Sequence, residues 1–259
     1  MIHNKKTDIK LINELRPIDD TLMQKLGEDR EFCEEMLRII LNKPKLKVIS
    51  NSTQKALHNI DTRSVTVNIK CMDEDGTIFS VEVQKSNDDD HQKRVRYNGA
   101  CVQIQSLQKG ANFKELPDVC MIFITERDFL GKNKTIYHID RLIRETGEII
   151  NNGYSEIYVN TEIDDKTDLA EYMKLLKSPL VHNNSRFPVI SRLTAYYKNG
   201  EGREIMCDVV KNYAEECVEE RVIEIAKRMY DNGADVDFIS KTTGLTVSQI
   251  EEICDLQNL

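Results

Sequence analysis

Glycine and proline are scarce in this chain of 259 residues, with 11 and 5 copies, which argues against long disordered linkers. No uninterrupted apolar stretch approaches the roughly 20 residues that a membrane-spanning helix needs. The first ten residues are polar and lack the apolar core of a signal peptide. We therefore expect a soluble, cytoplasmic protein that does not associate with membranes.

Motifs that pair metal-binding side chains are also missing. The seven cysteines are scattered without a C-x-x-C pair, and the five histidines show no H-x-x-x-H spacing. Dispersed cysteines in odd number indicate neither a disulfide framework nor a zinc site. Isolated histidines belong more often to the surface or the core than to a metal centre, so a histidine-based metal site is not expected.

Acidic residues are absent from one stretch and concentrated in another. From Glu215 to Leu259 there are eleven acids against four Lys/Arg, which accounts for nearly the whole net charge of -8. From His91 to Lys114 there is no acid, and this stretch can attract phosphate or form a solvated helix face. Its bases are Lys93, Arg94, Arg96, Lys109 and Lys114.

The hydrophobic pattern predicts an α/β domain over residues 1–205. A helix, a β-hairpin, a second helix and an apolar strand follow one another, and this order indicates a mixed β-sheet flanked by helices. The apolar strand at 119–124 should be central. In the second helix, predicted to begin at Asp88-Asp89-Asp90, we expect a buried stripe of Tyr97, Ala100, Cys101, Ile104 and Leu107.

Residues 206–259 are predicted to form an acidic helical tail. An apolar stripe that includes Val218, Val222 and Ile225 ends at Asn232-Gly233. Two short helices then resemble a helix-turn-helix, the second opened by a capping box at Thr246. Because eleven acids would repel DNA phosphates, we expect this tail to support packing or a homodimer rather than DNA reading.

The strands on either side of the turn signal at Asp73–Gly76 should pair as a hairpin. A loop of three residues places Asn68 directly opposite Glu82, on one face with Gln84. The other face then carries only apolar side chains and can pack on the core. A two-residue turn would oppose Asn68 to Val83 and mix polar and apolar residues on both faces, so we favour the longer loop.

The helix predicted over 29–42 carries two adjacent acids. On the helical wheel Glu34 lies at the edge of the apolar stripe, whereas Glu35 points nearly the opposite way. We therefore expect Glu34 to be the acid that can reach a site and Glu35 to face solvent.

The hairpin, the basic helix and the apolar strand follow one another in an order that can be compared with known families. The succession resembles the PD-(D/E)XK nuclease family transposases, also called the Rpn family of recombination-promoting nucleases, over roughly Asp19 to Asn160. Its patterns R-S-V-R-L-D-I, D-x-x-G, V-E-x-Q, K-R-x-R-Y and L-P-x-x-x-V-I-F-I-T correspond to residues 63–69, 73–76, 81–84, 93–97 and 116–125. The resemblance implies a restriction-endonuclease-like fold and hydrolysis of DNA phosphodiesters with Mg²⁺ or Mn²⁺.

The resemblance also implies roles for individual residues. Glu82 would be the acidic metal ligand, Gln84 the residue that stands where related nucleases have lysine, and Glu34 a further acid. Asn68 occupies the position of the family's aspartate, so the metal would lose a full negative charge at close range. The catalytic group would be Asn68, Glu82 and Gln84, the metal ligands Asn68, Glu82 and Glu34, and the DNA-binding residues Lys93, Arg94 and Arg96.

Two hypotheses follow from the amide at position 68. The chain is either a metal-dependent DNA endonuclease impaired by Asn68, or a catalytically inactive protein of the same fold that acts by binding DNA or a partner. Asn68 itself is either natural or a substitution that inactivates an active enzyme.

Overall fold

The computed structural model describes residues 5–57, 65–85 and 91–255. The chain divides into two units, one ending at Arg203 and the other beginning at Glu204. The predicted helix start at Asp88-Asp90, together with Arg63 and Ser64 of the resemblance, lies outside the described residues. Among the described helices, none combines the length and apolar character needed to cross a bilayer.

The first unit alternates helices and strands. Its helices are α1 (Lys5–Glu14), α2 (Asp20–Gly27), α3 (Arg30–Ile40), α4 (His91–Ser106), α5 (Asp168–Lys177) and α6 (Pro188–Lys198). Its strands are β1 (Val48–Leu57), β2 (Val65–Asp73), β3 (Ile78–Gln84), β4 (Val119–Thr125), β5 (Ile136–Ile139), β6 (Arg141–Leu142), β7 (Ile149–Ile150) and β8 (Tyr154–Asn160).

A six-stranded mixed sheet with the order β1-β2-β3-β4-β8-β5 forms the centre of this unit. The β1-β2-β3 strands are antiparallel, β3, β4 and β8 are parallel, and β5 returns antiparallel to β8. All seven residues of β4 are buried, as expected of a strand covered on both faces. The prediction of a mixed sheet flanked by helices with β4 in the middle is confirmed.

Helices α2 and α3 cover one face of the sheet. Gly27 of α2 lies so close to Ile69 of β2 that a Cβ there would come within 2.6 Å of Ile69 Cγ1. Cys33 of α3 contacts Cys71, two residues further along the same strand and therefore on the same face. Helices α5 and α6 pack in turn against α3.

Helix α4 covers the opposite face. Its Val95, Cys101 and Val102 belong to a buried cluster with side chains of β3, β4 and β8. Because side chains alternate along a strand, residues next to Ile69 and Val81 point toward this helix. The site residues of the hairpin are therefore on the α4 side.

The predicted buried stripe of α4 is wrong for most of its members. Ile104 is 67% exposed, Tyr97 and Ala100 are also exposed, and Leu107 is only partly buried, so Cys101 alone is buried as expected. The helix is rotated so that the polar residues His91 and Asn98 face the sheet. A pattern of apolar positions cannot predict this orientation. The side chains that face the sheet are His91, Val95, Asn98, Gly99, Cys101 and Val102.

Gly99 sets the distance between α4 and the sheet. A Cβ at this position would lie 2.9 Å from Tyr154 Cε2 and nearer still to the Tyr154 hydroxyl. The guanidinium of Arg141 also lies over the Tyr154 ring, 5.1 Å from its centroid. Only glycine lets the helix approach this closely, which brings the neighbouring Asn98 down onto β3.

The second unit is built from three helices. They are α7 (Gly200–Asp231), α8 (Val236–Thr243) and α9 (Val247–Asp255), and their small core contains Ala226, Ile239, Ile250 and Cys254. The predicted capping box is confirmed, because Thr246 and Gln249 exchange hydrogen bonds between side chain and backbone N–H. On α7, Val218 and Ile225 of the predicted apolar stripe are 56% and 39% exposed.

Candidate functional site

The hairpin register places Asn68 and Glu82 side by side. Ile69 pairs with Val81 and Met72 with Ile78, and continuing this register by one residue beyond the last paired position would set Asn68 opposite Glu82. The loop is closed by Gly76, whose φ of 80° lies in the left-handed region that favours glycine. The predicted three-residue loop and its register are confirmed.

Asn68 lies against the edge of β3. Its Oδ1 accepts a hydrogen bond of 2.9 Å from the backbone N–H of Val83, the residue after Glu82. An aspartate could accept the same bond, so the position does not require an amide for its geometry. The amide therefore changes the charge of this corner and not its backbone contacts.

Glu82 is the buried acid of the site. Only 6% of its surface is exposed, and Oε2 accepts a hydrogen bond of 2.5 Å from Asn98 Nδ2 on α4. Its other oxygen, Oε1, is buried and has no hydrogen-bond partner among the described residues. A buried carboxylate oxygen without a protein partner is uncommon in a folded protein, and water or a cation can satisfy such an oxygen.

Burial is the main influence on the ionisation of Glu82. It raises the pKa of the carboxyl, whereas the hydrogen bond from Asn98 and the positive charge of Arg94 lower it. The balance leaves the pKa of Glu82 at about 7, compared with an ordinary value of 4.5. Near neutral pH this carboxyl can therefore release or take up a proton.

Arg94 approaches the site from α4. Its Nη1 donates a hydrogen bond of 2.9 Å to Oε1 of Gln84, which is partly buried at the end of β3. Arg94 and Asn98 are separated by four residues and so project from the same side of the helix. The structure thus brings Glu82 together with Asn98 by a hydrogen bond and with Arg94 by charge, and it joins Asn68 to the residue after Glu82 by a hydrogen bond.

Lys93 and Arg96 lie on the other flank of α4. They line a groove of about 280 Å³ whose remaining walls come from β5 and β8. The structure therefore separates the three predicted DNA-binding residues into Arg94, beside Glu82, and the pair Lys93 and Arg96. Their contact with DNA stays a prediction.

The structure does not bring Glu34 to Glu82. Its Oε1 accepts a hydrogen bond from the Val48 N–H at 3.1 Å, and its Oε2 pairs with Arg38 Nη2 at 2.7 Å. Because α3 packs on the Ile69 face of the sheet, Glu34 lies across the sheet from Glu82. Its engaged oxygens hold α3 to the start of β1.

The expectation that Glu35 faces solvent is wrong. Glu35 is buried, and its carboxylate accepts hydrogen bonds of 2.9 Å from the backbone N–H groups of Val189 and Ile190. These groups belong to the first turn of α6, where helical N–H groups lack partners within the helix. A helical wheel based on apolar positions cannot predict that an acid is buried because it caps another helix.

Two further polar residues reach the site without having been predicted. Asn98 is polar, so apolar spacing does not predict its burial, although its spacing of four from Arg94 could have indicated that both lie on one side of α4. Lys70 pairs with Ser80 and so lies on the same face as Asn68 and Glu82. Its alternation with Asn68 along β2 could have indicated this placement.

No group of three or more His, Cys, Asp or Glu side chains able to hold a metal ion occurs in the described part of the chain. The acid at this site is Glu82, and its strand partner Asn68 contributes a neutral oxygen. This donor set has the hard oxygen atoms that Mg²⁺ prefers but little charge.

Comparison with known families gives a match over the region that carries the site. The PD-(D/E)XK nuclease family transposase matches residues 27–183, more than half of the chain. The chain belongs to this family. The matched region includes β2, β3, α4 and β4, which carry the candidate site.

Membership supports a function of the nuclease or transposase type for this PD-(D/E)XK protein. Nucleases of this kind generally use divalent metal ions, and DNA is the substrate that the family suggests. Searches of the curated proteins and of the solved structures found no match.

The ionisation of Glu82 predicts a dependence of stability on pH. Because its folded-state pKa of about 7 is above the ordinary 4.5, the native chain binds this proton more tightly than the unfolded chain. The contribution is fully present below pH 4.5 and is lost as pH rises through 7, by up to about 3 kcal/mol. Urea unfolding in a chelator should show this decline between about pH 5 and 8, and Glu82→Gln should remove it. An equal slope in both proteins would contradict the assignment.

Proposed function

We propose that this protein is a divalent-metal-dependent DNA endonuclease whose metal binding is weakened by Asn68. The observation that carries the proposal is the buried Oε1 of Glu82, which lacks a hydrogen-bond partner among the described residues, beside the position that the family fills with aspartate. In a nuclease of this family, that corner is where a cation would compensate a buried carboxylate.

Glu82 and residue 68 are the groups that would hold the cation. Mg²⁺ or Mn²⁺ bound there would polarise the scissile phosphate and a water molecule. The free oxygen of Glu82 fits this role, whereas Asn68 offers an amide oxygen that already accepts the Val83 N–H. The proposed weakness of the site follows from this single missing charge.

The surrounding side chains have separate tasks in this proposal. Asn98 fixes one oxygen of Glu82 and so leaves the other directed to the cation. Arg94 supplies a positive charge that can face a DNA phosphate, and it orients Gln84 through their hydrogen bond. Gln84, an uncharged residue, would position the water or the phosphate rather than change its charge.

A catalytically inactive nuclease-fold protein is the second candidate. It is favoured by one specific feature, which is that the described residues place one acid, Glu82, at the proposed site. In that case the basic flank of α4 would bind DNA without cutting it. Both candidates would act where DNA is present, and we infer a cytoplasmic role in DNA recombination.

Restoring the acid at position 68 tests the nuclease proposal. Asn68→Asp should bind Mg²⁺ or Mn²⁺ at least about tenfold more tightly than the parent chain, because it returns a full charge to the site. It should also nick plasmid DNA faster. Calorimetry with the metal ion and gel electrophoresis of plasmid are the two measurements.

Two variants serve as controls for this experiment. Adding Glu82→Ala to Asn68→Asp should abolish both effects, whereas adding Glu34→Ala should leave metal affinity within about twofold, because Glu34 lies across the sheet. If Asn68→Asp cuts no better than Glu82→Ala with any divalent ion, the inactive candidate is correct.

We also propose that the second unit supports a homodimer. The exposed aliphatic residues Val218 and Ile225 on α7 form an apolar stripe that a second copy could cover. Light scattering should show a dimer for the full chain and a monomer for Val218→Glu with Ile225→Glu. Ile104→Glu, which changes an exposed isoleucine of α4, is the matched control and should leave the dimer intact. A monomeric parent chain would contradict the proposal.

A further inference from the structure

We propose that the groove on the far flank of α4 binds one nucleotide of the DNA, with its phosphate at Lys93 and Arg96 and its base edge at Glu156. The inference rests on the proposed function in that the nucleotide belongs to the substrate strand. It adds a second binding site, separate from the corner that holds Glu82.

Strand pairing builds the floor of this groove. Tyr137 pairs with Tyr158 and Ile139 with Glu156 across β5 and β8. Tyr158 and Tyr137 pack in the cluster beneath α4. Glu156 and Ile139 lie two residues away on the same strands, so their side chains face the same side of the sheet. The groove has a volume of about 280 Å³ and is lined by Gln92, Lys93, Arg96, Ile139, Glu156 and Tyr158.

One wall of the groove is suited to an anion. Lys93 and Arg96 are three residues apart on α4, so their side chains project from the same part of the helix surface. Both are exposed, and neither forms an ion pair within the described ranges 5–57, 65–85 and 91–255. A guanidinium and an ammonium at this spacing can share one phosphate group.

The opposite wall presents a fixed carboxylate. The Tyr154 hydroxyl donates to Glu156 Oε1 at 3.0 Å, and the Tyr158 hydroxyl donates to Oε2 at 2.6 Å. Burial and the charge of Glu156 raise the pKa of both hydroxyls, so they remain donors. Each carboxylate oxygen keeps a lone pair that can accept an N–H from a ligand.

The positions of the two tyrosines make this carboxylate rigid. Tyr154 contacts Gly99 of α4 and the Arg141 guanidinium, and Tyr158 is 2% exposed. A preorganised acceptor loses little freedom when a ligand binds. Glu156 is therefore suited to recognise a donor edge rather than to serve as a mobile surface charge.

The aliphatic wall completes the match to a nucleotide. Ile139 is 43% exposed, lines the groove and pairs with Glu156 across the two strands. A base could lie against this side chain while its edge donates to Glu156 and its phosphate meets Lys93 and Arg96. Guanine fits the acceptor best, because its N1–H and N2–H groups lie on one edge and can reach two oxygens.

The groove is near enough to the Glu82 corner to hold the same strand. Glu82, Phe123 and Tyr158 are in register across β3, β4 and β8, so Tyr158 lies two strand spacings from Glu82, or about 10 Å. A DNA strand advances roughly 3.4 Å per nucleotide in a duplex, so this distance corresponds to about three nucleotides.

Binding of dGMP to the full chain in the presence of EDTA tests the groove without metal or cleavage. We expect binding that weakens at least about tenfold in Lys93→Ala with Arg96→Ala. The matched control, Lys109→Ala with Lys114→Ala, removes two exposed charges from the same acid-free stretch outside the groove and should change affinity less than about twofold. Calorimetry or NMR titration gives both values.

The two ends of the ligand can be tested separately. Glu156→Gln should weaken dGMP about tenfold and leave inorganic phosphate unaffected, because only the base edge reaches this residue. If inorganic phosphate binds as tightly as dGMP, or if both charge-removal pairs lose affinity equally, the nucleotide site is contradicted. Failure of Asn68→Asp to cut DNA while dGMP still binds would contradict the proposed function and leave the groove standing.

Discussion

The site depends on the burial of one carboxylate, that of Glu82, beneath helix α4. Taking this group out of water is costly, and the hydrogen bond from Asn98 and the charge of Arg94 offset only part of that cost. What remains appears as a raised pKa and as an oxygen with no hydrogen-bond partner among the described residues. In the proposed site a cation would stabilise the charged form of Glu82 and displace its proton, so metal binding would become stronger as pH rises through 7. The close approach of α4 that makes this possible depends on Gly99.

In the proposed cation site, the charge of residue 68 sets how strongly a cation would bind. An aspartate would set a second charge beside Glu82, which raises the electrostatic cost of the metal-free state and increases the gain when a cation binds. An amide at this position lowers both the electrostatic cost of the metal-free state and the gain when a cation binds. It keeps the hydrogen bond to Val83, so the hairpin tolerates the exchange while the electrostatics of the site change. In the proposed site, residue 68 would therefore alter metal affinity with little effect on the fold.

The parts of the structure that follow from local pattern were predictable from the sequence. Alternation and the Gly76 turn fixed the register that joins Asn68 to Glu82, and the apolar run of β4 indicated its central place. The orientation of α4 and the role of Glu35 were not predictable, because both depend on polar groups that find partners in distant segments. Asn98 bonds to a strand 16 residues away, and Glu35 caps a helix that begins more than 150 residues later. Patterns of apolar spacing carry no information on such pairs.

The central claim is that Glu82 and residue 68 form one cation site. Crystals of the Asn68→Asp protein grown with Mn²⁺ and measured at a wavelength that gives anomalous scattering from manganese test this most directly. The account predicts an anomalous peak about 2.2 Å from Glu82 Oε1 and in contact with the new carboxylate, a distance typical of metal–oxygen ligation. A peak across the sheet at Glu34, or an ordered manganese ion that does not touch Glu82, would contradict it.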